Sequence, residues 1–144
     1  MNKIITIFIS ILFLVSCSST QSYGDKIVAL NVSSEDIHDL YSIEIPSATP
    51  GNFISHGLML ATSKAFSNPT SNLIKDMLNT KPNLRLAVIG DSQTNNFLNL
   101  QHALNGVKNK SNAVIYINAN DEQVKKLQEI ANPKGIKIRN GNIR

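Results

Sequence analysis

Leu84-Arg85-Leu86-Ala87-Val88-Ile89-Gly90-Asp91-Ser92 is the stretch whose reading decides the fold. A run that is apolar except for Arg85 gives way at once to a glycine and two small polar residues. A short continuous apolar run closed by turn chemistry reads as a strand covered on both faces. Gly90-Asp91-Ser92 then turns into a helix, with Asp91 or Ser92 capping its first free N–H groups. That helix carries Phe97, Leu98, Leu100 and Leu104 and closes at Gly106. The same order repeats downstream. Ala113-Val114-Ile115-Tyr116-Ile117 reads as a second strand, and Asn118-Ala119-Asn120-Asp121 as the turn into a second helix. Val124, Leu127, Ile130 and Ala131 fall at helical spacing there, and Pro133 and Gly135 stop it. Ile136-Lys137-Ile138-Arg139 is a short last strand whose charged alternation suits a sheet edge. Strand, helix, strand, helix, strand with short connections implies right-handed crossovers and a parallel sheet. The expected class is α/β: a single small domain with a parallel βαβαβ C-terminal half, in two or three layers.

Upstream the pattern is shorter in each element. Lys26-Ile27-Val28-Ala29-Leu30-Asn31-Val32 reads most simply as a first strand. Ser33-Ser34-Glu35-Asp36 reads as the start of a brief helix ending near Leu40, with hydroxyls to cap it and acids at its positive end. Tyr41-Ser42-Ile43-Glu44-Ile45 alternates strictly, as a half-buried strand does. Pro46, Pro50 and Gly51 make a loop, and residues 54–66 form a helical stripe with Ile54, Leu58, Ala61, Ala65 and Phe66. Asn68-Pro69 opens another helix, where proline at the first position loses no useful donor. Leu73, Ile74, Met77 and Leu78 are its apolar face.

The N-terminus is of a different kind. Met1-Asn2-Lys3 is a short positive tip, and the 12 residues 4–15 are apolar except for Thr6 and Ser10. As a helix that run is about 18 Å long at roughly 1.5 Å per residue, too short for a bilayer core of about 30 Å. A cationic end, an apolar segment and then small residues are the order of an export signal. Leu14-Val15-Ser16-Cys17 closes it and holds the only cysteine of the chain. These four residues resemble the lipobox of bacterial lipoproteins. The resemblance implies cleavage before Cys17, a diacylglycerol on its sulfur and acylation of the new amine. Residue 18 is Ser rather than Asp, which resembles the outer-membrane class of that family. An ordinary signal cleaved near Ser19 or Thr20 would leave Cys17 as an odd thiol in an oxidising compartment; lipidation accounts for it. The expected organisation is a signal peptide at 1–16, a lipidated tether at 17–25 and a periplasmic α/β domain at 26–144.

Removing the signal leaves 128 residues, enough for one domain. With no cysteine beyond Cys17, its core must come from aliphatic packing. There is no Trp, and aromatic residues are 6% of the chain, which speaks against a sugar-stacking surface. Residues 17–80 hold three Lys or Arg against six Asp or Glu, whereas residues 81–144 hold ten against four. The second half therefore offers either a basic face or, since its cations are scattered, an ordinary solvated surface. No aromatic residues interleave the charges, and export removes the chain from the cytoplasm, so nucleic acid is not an expected partner.

Ile89-Gly90-Asp91-Ser92 also resembles the nucleophile block of GDSL-type esterases, which implies Ser92 as nucleophile. That family needs a downstream Asp and a basic His near the C-terminus. Here the last histidine is His102, about three helical turns past Ser92, and no oxyanion Gly or Asn block is visible. Ligands of parallel sheets gather at the carboxyl ends of strands. Gly90-Asp91-Ser92-Gln93 and Asn118-Ala119-Asn120-Asp121 would both lie there, making Asp91, Ser92, Asn118 and Asp121 the candidate ligand-binding residues. There is no glycine-rich phosphate loop and no convergent cation. His38, His56 and His102 are not at ligand spacing, so no metal and no cofactor is expected. Lys125-Lys126 lies on the polar side of its helix. The leading expectation is a non-enzymatic, lipid-anchored envelope protein acting through a protein partner, in a pilus, secretion or conjugation machine or in wall maintenance. The alternative is a small polar-ligand binder or hydrolase using the two strand-end loops.

Overall fold

The computed structural model describes residues 23–46 and 69–141. The signal, Cys17, His56 and the predicted helix at 54–66 lie outside the described residues. The described elements are α1 (Tyr23–Ala29), a 3-10 turn (Ile37–Asp39), β1 (Leu40–Glu44), α2 (Pro69–Thr80), β2 (Arg85–Ile89), α3 (Gln93–Asn105), β3 (Val114–Ile117), α4 (Asp121–Ala131), a second 3-10 turn (Asn132–Lys134) and β4 (Lys137–Asn140). Four strands form one sheet in the order β1-β2-β3-β4, and all three pairings are parallel.

That order explains the layers. Each strand is added beside the previous one in a single direction, and crossovers of one hand then put α2, α3 and α4 on the same side of the sheet. Side chains of alternate strand residues confirm it. Ile43, Leu86, Val88, Ile115, Ile117 and Ile138 pack in one aliphatic core with Ile74 and Leu78 of α2, Leu100 and Leu104 of α3 and Leu127 of α4. The residues between them, Ala87, Ile89, Val114 and Tyr116, face the other way and pack with Leu30, Ile27 and Val32 of the N-terminal segment. Among the described residues, the sheet thus has one face under three helices and one under a single short helix and the loop behind it.

Local sequence accounts for the connections. Ser92 caps α3, its Oγ accepting from the Asn95 N–H at 3.3 Å. Asn120 caps α4 in a reciprocal box: Asn120 Oδ1 accepts from the Gln123 N–H at 2.9 Å, and the Gln123 side chain accepts from the Asn120 N–H at 3.1 Å. Gly135 ends the second 3-10 turn at φ 74°, a left-handed conformation that glycine adopts without strain. β4 ends the sheet, as its Lys–Ile–Arg alternation predicts: Ile138 is buried while Lys137 and Arg139 are exposed.

Two upstream expectations are corrected. Residues 26–32 are not a strand: α1 and a turn occupy them. A short apolar run fits either conformation, and helical spacing here turns Ile27 and Leu30 toward the sheet while Val28 stays 76% exposed. The helix also begins at Tyr23, inside the stretch read as tether. Residues 33–40 are not a helix beyond the three-residue turn at 37–39, where Asp36 makes no side-chain cap. Ser33 and Asp36 instead reach across to the sheet, to Tyr116 and Arg85.

Candidate functional site

The carboxyl ends of β2 and β3 lie side by side, so residues 90–93 and 118–121 do form one neighbourhood. Asn96, one turn into α3, ties them together. Its Nδ2 donates to the carbonyl of Gly90 and to that of Asn118, both at 3.2 Å. Gln93 Nε2 donates to Asn118 Oδ1 at 3.1 Å. Gly90 is required by close approach: a Cβ there would sit 2.2 Å from Asn96 Oδ1. The Asn96 oxygen itself is buried without a hydrogen-bond partner. Beyond β4, Asn140 Oδ1 accepts from the Ala119 N–H at 3.3 Å and steadies the second loop.

A cleft of about 280 Å³ opens beside these loops, lined by Lys26, Leu30, Val88, Ile89, Gly90, Asp91 and Asn118. Its floor is apolar and its rim polar. Of the four residues nominated from the sequence, Asp91 and Asn118 line it. Ser92 is turned to helix capping, and Asp121 stands in the first turn of α4, outside the cleft lining. Lys26 enters from α1 and was not legible as a site residue. Its Nζ lies 2.8 Å from Asp91 Oδ1 and 3.7 Å from Glu44 Oε1. The hydrogen bond to Asp91, opposed by partial burial and helped by both carboxylate charges, raises the Lys26 pKa above its ordinary value.

A second polar cluster lies on the same face of the sheet, under residues 33–36. Tyr116, 1% exposed, donates from its hydroxyl to Asp36 Oδ2 at 2.6 Å, and Arg85 Nε donates to Asp36 Oδ1 at 2.6 Å. Ser33 Oγ lies 3.1 Å from the Tyr116 hydroxyl. Arg85 Nη1 also donates to the carbonyls of Asn83 and Asn112, each at 3.1 Å. The Tyr116 hydrogen bond, then those of Arg85 and Ser33, lower the Asp36 pKa against the opposing effect of burial. Every member of this cluster has a protein partner, and its geometry is that of a latch holding the N-terminal loop on the sheet.

Among the described residues there is no group of three His, Cys, Asp or Glu able to hold a metal ion, and no helix is long and apolar enough to cross a membrane. Compared with protein-family models, curated proteins and solved structures, the chain matches none. Its function must be argued from its own residues.

Proposed function

We propose that this chain is a bacterial lipoprotein, anchored by acyl chains on Cys17 at the outer membrane with its α/β domain facing the periplasm. The domain acts by protein–protein contact, as an accessory or assembly part of an envelope machine such as a pilus, secretion or conjugation system. The observation that carries this reading is Leu14-Val15-Ser16-Cys17, which sets the only cysteine at the end of a 12-residue apolar run.

The fold is consistent with such a role. The first described helix starts at Tyr23, six residues beyond Cys17. A tether of that length spans about 20 Å at most, so an acylated Cys17 holds the body close to the bilayer and raises its effective concentration for neighbours. Three acyl chains at about 0.8 kcal/mol per buried CH₂ make release negligible. The polar groups at the strand ends also favour a scaffold over a catalyst. Ser92 caps its helix, Asp91 pairs with Lys26, and Asn118 accepts from Gln93.

Mass spectrometry of the protein isolated from membranes tests the anchor. A mature chain starting at an acylated Cys17 is expected, and Cys17→Ser should leave the membrane fraction. An unmodified thiol, or full membrane retention of the variant, would overturn the reading. Crosslinking in cells is then expected to trap one specific envelope protein. The cleft beside Asp91 and Asn118 favours a second reading, a binder of small polar molecules. It predicts a ligand that raises the melting temperature of the native chain but not of Asp91→Asn.

A further inference from the structure

The cations on the sheet face that carries α1 are not equivalent. Lys26 is matched to Asp91 and Arg85 to Asp36. Lys137 and Arg139 of β4 lie on the same face, since they are in register with Val114 and Tyr116. Both are exposed, and among the described residues neither makes an ion pair. Among the described residues, they stand on a strand with a neighbour on one side only. The Lys137 N–H donates to the Ala113 carbonyl at 2.9 Å, and the Gly141 N–H to the Ile117 carbonyl at 2.8 Å. These are the odd-numbered residues, directed at β3. By the period-two alternation of a strand, the backbone N–H and C=O of Ile138 and Asn140 face outward. The Ile138 side chain is buried in the core, which anchors the edge to the body of the domain.

We propose that β4 is a docking edge for an extended segment of a partner protein with acidic side chains at alternate positions, which adds to the sheet as a fifth strand. This names the partner chemistry of the docking role proposed above and rests on it. Main-chain bonds to Ile138 and Asn140 supply the pairing, and carboxylates about 5 Å across the strand meet Lys137 and Arg139. Lysine and arginine on an edge strand discourage indiscriminate pairing, because most strands bring nothing to neutralise them. An acidic strand is the one sequence for which that guard becomes an attraction.

The test uses the full chain purified from membranes in detergent and two short synthetic peptides, one alternating Glu with Thr and one alternating Lys with Thr. The Glu peptide is expected to bind more tightly than the Lys peptide and to slow amide exchange at Ile138 and Asn140. The double substitution Lys137→Glu with Arg139→Glu, its circular dichroism unchanged, should weaken the Glu peptide about tenfold and reverse the preference. Equal affinity of the native chain for both peptides would overturn the proposal. So would unaltered binding by the charge-reversed variant, or unprotected amides at Ile138 and Asn140. An unmodified Cys17 would defeat the anchor but leave this binding intact, so the two failures are distinguishable.

Discussion

The two faces of the sheet are built by opposite means. Under the three helices, Leu86, Val88, Ile115 and Ile117 sit in a large, mainly aliphatic core with Met77, Phe97 and Ile130 packed against it, and that core forms from crossovers between neighbouring strands. Beneath α1 the apolar set is small, Leu30 with Ala87, Ile89, Val114 and Tyr116, and polar pairs surround it. Lys26 reaches Asp91 at one end, and Asp36 holds Tyr116 and Arg85 at the other. Dispersion and the hydrophobic effect are non-directional, so they fill the helical face with whatever fits. Hydrogen bonds and ion pairs are directional, so they fix where the N-terminal segment lies. The first face supplies stability and the second supplies placement.

Truncation on the helical face is the strongest way to break that contrast. Leu100 and Leu127 are fully buried, and replacing either by Ala should cost about 2–5 kcal/mol in chemical denaturation. The same change at Leu30 should speed amide exchange over residues 23–39 before it lowers global stability. If Leu30→Ala and Leu127→Ala unfold the whole domain alike, the two faces form one cooperative unit and the distinction fails.

The Asp36 latch comes next. Tyr116→Phe removes a hydroxyl shared by Asp36 and Ser33, and should cost about 1–2 kcal/mol. Its effect should fall on exchange in residues 23–39 rather than in α3 or α4. The pH dependence has a definite sign. The Asp36 pKa is lowered in the fold, so its contribution is present above the unfolded value of about 3.9. It is lost as pH falls through that value and on through the lower folded one. Acid titration followed by exchange should therefore release the N-terminal segment first, and Asp36→Asn should abolish that step. Release that is unchanged in Asp36→Asn would assign the acid sensitivity elsewhere.

What the sequence disclosed follows the same division. From residue 84 onward the elements were legible, because each strand is a short apolar run, each loop is short, and each helix opens on a capping residue such as Ser92 or Asn120. β1 was legible from the alternation at residues 41–45. The stretch 26–32 was not, since its conformation is set by the sheet face it must cover. Asn96 and Asn99 carry no apolar signal, although with Leu100, Ala103 and Leu104 they complete one buried stripe at helical spacing. Of the candidate site, Asp91 and Asn118 could be placed by the rule of strand ends. Lys26 arrives from a distant element, and no local pattern announces it.

The weakest link in the comparison is the pair Lys26–Asp91. The Lys26 side chain is 15% exposed and that of Asp91 is 57% exposed, so solvent screens most of the attraction. A contribution of about 0–1 kcal/mol is expected from a double-mutant cycle of Lys26→Met and Asp91→Asn, smaller still in high salt. The Lys26 pKa is raised in the fold, so its contribution is full below the unfolded value of about 10.4 and fades as pH rises through the folded one. Alkali should then loosen α1, where acid loosens the loop at residues 33–36. A coupling of about 2 kcal/mol or more, insensitive to salt, would mean that the pair is far better shielded than its exposure implies. In that case the rim of the cleft, rather than the Asp36 latch, would fix the position of α1.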